Sequence, residues 1–144
     1  METDRKAIAK LLDMPEKEVG IDRYLYTPAF PNEVKAWKFI GKHDPALRRY
    51  QNRLYYPPTA LIGLLDLVTE LLFRLKFNGL GVVPALVAND ARFRKPVMSE
   101  TELLIQVKLL RNYKGRIGIF SGVIADQRGD IVAENICRGT IIKI

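Results

Sequence analysis

With 144 residues, 48% of them hydrophobic and 27% charged, the chain has the make-up of one globular domain over 1–144, and global disorder is excluded. Its single cysteine, Cys137, excludes an internal disulfide and a cysteine-based zinc site and fits a reducing cytoplasm. The net charge of +7 points either to an acidic partner (nucleic acid, a membrane surface or an acidic protein) or to scattered solubilising charge.

The charged start, Met1 to Lys6, is followed by no apolar signal core. Within residues 1–14, Asp4 to Leu12 reads as a short helix with Ile8, Leu11 and Leu12 on one side, ended by Pro15. Gly20 to Tyr26 is strand-like, and Pro28, Pro31 and Asn32 mark a turn. Val34 to Ile40 alternates, with Val34, Ala36, Lys38 and Ile40 opposite Lys35, Trp37 and Phe39, which predicts a strand. Asp44 to Pro57, with three arginines and three tyrosines, has no regular period.

Pro58 suits the first turn of a helix, where its missing donor costs nothing. Residues 58–76 then read as one helix, apolar at Leu61, Ile62, Leu64, Leu65, Leu67, Val68, Leu71, Leu72 and Leu75. Asp66, Thr69, Glu70 and Arg74 gather on the remaining side, and Asp66 and Glu70 make the stretch too charged to span a bilayer. So apolar a helix must be nearly enclosed by the rest of the fold. Asn78, Gly79 and Gly81 stop it. Strands follow: Val82 to Phe93; a stretch with Leu103, Ile105, Val107 and Leu109 alternating with Glu102, Gln106 and Lys108; Ile117 to Ala125; and Ile131 to Ile144. Turns fall at Asn112 to Gly115 and at Gln127 to Asp130. A long buried helix and a meander of antiparallel strands make an α+β arrangement, and a sheet curled around such a helix is the hot-dog architecture.

The stretch Ala91-Arg92-Phe93-Arg94-Lys95-Pro96-Val97, followed by Gly115-Arg116-Ile117 and Val132-Ala133-Glu134, resembles the C-terminal half of the 3-hydroxyacyl-(acyl carrier protein) dehydratases. Ile21-Asp22-Arg23, Lys35-Ala36-Trp37-Lys38 and Asp44-Pro45 extend the resemblance over most of the chain. It implies a hot-dog dimer or higher oligomer acting in fatty-acid or polyketide metabolism, without cofactor or metal. In that family a histidine at the mouth of an acyl tunnel takes the C2 proton, and a glutamate on the central helix assists loss of the 3-hydroxyl. A gapless placement puts Tyr50 where the histidine stands and Leu64 where the glutamate stands, with Pro58 on the last proline of the family's active-site segment. Leucine transfers no proton, and tyrosine, with a reference pKa of about 10, is a poor base at neutral pH.

The resemblance therefore implies a catalytically degenerate member that keeps acyl-thioester contacts at Tyr50, Pro58, Leu64 and Phe93. It also implies a basic surface of Arg48, Arg49, Arg53, Arg92, Arg94 and Lys95 for an acyl carrier protein or coenzyme A. Such a chain binds a thioester or shapes a heteromer with an active paralogue. The alternative is an active dehydratase or thioesterase using divergent residues: Asp66, since some hot-dog thioesterases use an acid on this helix, or His43, the sole histidine, or Tyr50. Against Asp66 stands its shared polar face with the Glu70–Arg74 pair; against Cys137 stands its place inside a strand with no basic neighbour. Nucleic-acid binding rests on charge alone and ranks last. Whether the chain is an enzyme stays open at this level.

Overall fold

The computed structural model describes residues 2–77, 82–113 and 116–143. Its elements are β1 (Glu2–Asp4), α1 (Arg5–Leu12), a 3-10 turn (Glu16–Glu18), β2 (Arg23–Leu25), β3 (Glu33–Ile40), β4 (Arg48–Tyr50), β5 (Arg53–Tyr56), α2 (Pro58–Phe77), β6 (Val82–Phe93), β7 (Val97–Met98), β8 (Thr101–Tyr113), β9 (Ile117–Ala125) and β10 (Ile131–Lys143). A seven-stranded antiparallel sheet runs in the order β1-β2-β3-β8-β9-β10-β6, and α2 lies across its concave face. This is the hot-dog fold expected from the element order.

The wrapping follows from α2 itself. Leu61, Leu64, Leu65, Val68, Leu71, Leu72 and Phe73 are all buried, and from Leu64 to Lys76 no residue is fully exposed. The sheet answers with its inward positions: Val34, Ala36 and Ile40 of β3, Leu103, Ile105 and Val107 of β8, Phe120 and Ile124 of β9. Each sits at the period of two that the sequence alternation predicts. Ile8, Ala9 and Leu12 of α1 close one end of this core.

Several boundaries differ from expectation. Asp13, in the left-handed conformation at φ 52°, ends α1 ahead of Pro15 by accepting the chain's change of direction, while Asp4 caps the start through Ala7 N–H. The strand expected from Gly20 shortens to β2, and Asp22 just ahead of it is tied to β3 twice: its N–H donates to Trp37 O at 2.8 Å and its carboxylate accepts Phe39 N–H at 2.7 Å. The stretch 44–57 is not irregular. It holds the β4–β5 hairpin, turned by Gln51 and Asn52, both at positive φ as a tight two-residue hairpin turn requires. β5 pairs in turn with β7 to make a second, three-stranded sheet that delivers the chain into α2. The residues Asn78, Gly79 and Gly81 assigned to stopping α2, and Lys114 and Gly115 in the turn after β8, lie outside the described residues, as does Ile144.

Candidate functional site on the central helix

The inward face of β10 is apolar at Val132 and Ala133 and then turns polar, at Asn135 and Cys137. Asn135 stands beside Gly122 of β9 in register, and Cys137 beside Asn89 of β6. Asn135 is only 5% exposed and donates its Nδ2 to Asn89 Oδ1 at 3.0 Å. Its Oδ1 is buried with no hydrogen-bond partner among the described residues. Gly122 makes room for it: a Cβ there would overlap Asn135 Oδ1 and come to 2.7 Å from Leu65 Cδ2 of α2.

Above this polar floor lies the side of α2 that carries Asp66 and Thr69. Thr69, also buried, donates its hydroxyl back along the helix to Leu65 O at 2.7 Å and lies 4.0 Å from Cys137 Sγ. Asp66, one turn earlier, is half-buried, and its Oδ1 is buried with no partner among the described residues. Burial lifts its carboxyl above the ordinary carboxylate range. Glu70, by contrast, is spent on Arg74 at 3.2 Å, as the four-residue spacing predicts. The Cys137 thiol is pushed up chiefly by burial, opposed next by the hydrogen bond with Thr69, with a smaller upward push from the Asp66 carboxyl and a smaller opposing one from Asn135. It stays a protonated, buried thiol, consistent with the sequence reading of Cys137 as a small core residue. Asp66 thus presents a titratable carboxyl with one oxygen that is buried and has no partner among the described residues, on the side of α2 near Cys137.

The other candidate residues lie elsewhere. Leu64 is 3% exposed on the opposite flank of α2, since two residues along a helix are about 200° apart. Tyr50 is 66% exposed at the tip of the β4–β5 hairpin, next to Arg48, Arg49 and Arg53, all exposed. Pro58 is exposed at the first turn of α2, and Phe93 is 43% exposed at the end of β6. His43 is exposed in the turn after β3 and lines a separate cleft with Asp44 and Tyr56. Of the second basic group, Arg92 is exposed, Arg94 is bonded to Glu134, and Lys95 is bonded to Asp126 at 2.8 Å and Asp130 at 3.0 Å. Sequence reasoning missed Asn135 and Asn89. The available signal was a single amide at an inward-facing position of an otherwise apolar strand end.

No protein-family model matches the chain, and no curated protein matches it in sequence. Solved structures do match its fold. The thioesterase HI1161 of Haemophilus influenzae superposes with a TM-score of 0.76 at 11% identity, covering 98% of this chain and 91% of that one. The PaaI protein of the E. coli phenylacetic acid degradation operon gives 0.69 at 18%, covering 94% and 84%. A hypothetical thioesterase of Streptococcus pneumoniae, solved with coenzyme A, gives 0.68 at 13%, covering 83% and 89%. These likenesses establish the hot-dog fold of the chain.

Proposed function

We propose that this protein binds acyl thioesters and hydrolyses them, with Asp66 as the general base, and that it does not dehydrate 3-hydroxyacyl substrates. The observation that carries the reading is the unspent, buried carboxylate oxygen of Asp66 on the central helix. A residue merely solvating a polar helix face would have both oxygens in water or paired. That the structural neighbours include proteins described as thioesterases supports the same reading. It is the alternative left open by the sequence, and it is preferred to the degenerate dehydratase because a candidate base is present while Leu64 offers none.

In this mechanism the ionised Asp66 takes a proton from water as the oxygen attacks the thioester carbonyl. The tetrahedral intermediate collapses with cleavage of the C–S bond, and the leaving thiolate takes the proton back from Asp66, giving a carboxylic acid and a thiol. A carboxyl pKa raised by burial makes Asp66 a stronger base. The Asn89–Asn135 pair orients the acyl group. The thioester arrives on an acidic acyl carrier protein or on coenzyme A, received by the arginines of the β4–β5 hairpin and by Arg92. The working unit is a homodimer joined along β6.

The test is thiol release from a panel of acyl thioesters, run beside a dehydration assay on 3-hydroxyacyl thioesters. Asp66→Asn should lower thiol release by about 10²–10⁴-fold, His43→Ala should leave it intact, and no dehydration should occur with any of the three proteins. Hydrolysis that survives Asp66→Asn, or dehydration by the wild type, overturns the reading.

A further inference from the structure

A second recess lies on the other flank of α2. Its volume is about 770 Å³, and it is walled by α1, the 3-10 turn and the segment after it, the end of β3, the turn 41–46 and Tyr56 of β5. Gly20 on its wall abuts α2 at Leu64 and Leu67, 3.5 Å from where a Cβ would stand. Asp66 and Thr69 face the opposite way, toward β10. The recess is thus separate from the hydrolytic centre.

Its polar groups divide into spent and unspent. Two of its three carboxylates are consumed internally: Asp22 accepts Phe39 N–H, and Asp44 holds Lys38 Nζ at 3.0 Å while accepting Ala46 N–H at 2.9 Å. Glu18, exposed on the 3-10 turn, is the third, and its carboxylate has no partner among the described residues. The donors are mostly unspent. Arg5 gives one nitrogen to the carbonyls of Glu16 and Val19, at 3.0 Å each, which fixes its guanidinium in the wall, and its Nε is buried with no partner among the described residues. Tyr56 is 5% exposed, lies against Asp44, and its hydroxyl makes no hydrogen bond to any described residue. Lys17, Lys42 and His43 stand at the rim without ion-pair partners among the described residues. A buried donor left without an acceptor is costly, so unspent donors converging on one recess select a ligand rich in acceptor oxygens.

We propose that this cleft is a binding site for a phosphate-bearing small molecule, seated on the Tyr56 hydroxyl beside the positive charge of the Arg5 guanidinium and covered by Lys42, His43 and Lys17. A carboxylate has two oxygens and one charge, too few for donors arriving from four segments of the chain. A phosphate group carries three or more acceptor oxygens and up to two charges and matches them. The volume is in the range of sites that enclose a whole metabolite, so the phosphate need not come alone. The site stands independently of the hydrolysis proposed at Asp66.

Isothermal titration of the purified protein with inorganic pyrophosphate, with ADP and with acetate tests this. Either phosphate probe should bind the wild type, and acetate should not. Tyr56→Phe removes only the hydroxyl and should weaken phosphate binding by about tenfold or more. Lys42→Ala, a surface change that leaves the packing alone, should weaken it too, whereas Asp66→Asn should leave it unchanged. Thiol release by Lys42→Ala should match the wild type. The proposal fails if neither phosphate probe binds, if acetate binds as well as they do, or if Tyr56→Phe and Lys42→Ala together leave the affinity intact. It fails also if Asp66→Asn abolishes phosphate binding, because the cleft would then be part of the hydrolytic centre.

Discussion

Adding one methyl group at Gly122 tests the architecture of the polar floor. The new Cβ would overlap Asn135 Oδ1 and crowd Leu65 Cδ2, so either α2 lifts from the sheet or the Asn135 carboxamide rotates away from Asn89. Overpacking of this kind costs about 1–3 kcal/mol. Losing the Asn135–Asn89 bond inside the core costs a similar amount. The chain takes the cheaper combination, and Gly122→Ala should destabilise by about 2–3 kcal/mol. With an unfolding entropy of about 2.1 cal/mol/K per residue, a chain of this length loses about 7–10 °C in Tm. Gly63→Ala is the control. That glycine is exposed on α2 with nothing within 4 Å of an added Cβ, so the helix should gain about 0.5–1 kcal/mol and Tm should rise. The decisive measurement is the double variant Gly122→Ala/Asn135→Ala, followed by thermal unfolding. Removing the carboxamide vacates the space the methyl needs, so the pair should be more stable than the sum of its single changes by about 1 kcal/mol or more. A Gly122→Ala protein that melts like the wild type, or strictly additive single changes, would refute the geometry.

Three further outcomes follow from the same structure. Because burial raises the folded-state pKa of Asp66, its contribution to stability is present in acid and lost as pH rises through that raised value; Asp66→Asn should therefore melt no lower than the wild type at neutral pH while losing hydrolysis, and the acid limb of the wild-type pH–rate profile should lie above the ordinary carboxylate range. Asp126 behaves oppositely: Lys95 holds its pKa down and it accepts the N–H groups of Arg128 and Asp130, so Asp126→Ala should lower Tm by about 3 °C at neutral pH, with the difference shrinking as acid protonates the wild-type carboxylate through its depressed pKa. β6 ends the sheet with an edge of 12 residues that pairs with no described strand, and Val87 on it is 53% exposed; light scattering at micromolar concentration should show a dimer, Val87→Lys should shift it toward monomer, and a monomeric wild type would rule out the proposed joint.

The large elements were legible because burial on both sides of a contact imposes a period. Pro58 and the apolar run behind it located α2 to within a residue of its observed end, and β9 falls on Ile117–Ala125 as read. The β4–β5 hairpin escaped because strands of three and four residues contain too few alternations to count. Its turn uses Gln51-Asn52, where the familiar signal is a glycine after the asparagine. Asp66 was visible as an acid inside an apolar helix, but not that one of its oxygens is buried and unspent. The Asn89–Asn135 pair joins residues 46 positions apart, on strands whose pairing shifts register at Arg138–Gly139. No local pattern carries that information.

The order of strands in the sheet also dictates an order of events. β8, β9 and β10 are joined by tight connections and pair with their chain neighbours, so they can form early at low loop-closure cost. β6 leaves α2 well before them, yet among the described strands it pairs with β10, the last of them. During synthesis α2 therefore emerges with only α1 and β3 behind it to pack on, and the rest of its cover, from β6, β8 and β9, arrives once the chain through about residue 125 has left the ribosome. The greasiest helix of the molecule thus spends part of its synthesis with much of its apolar face uncovered. Expression at low temperature, or with a holding chaperone that shields α2 during that interval, should raise the yield of folded protein more than any change to its mature surface.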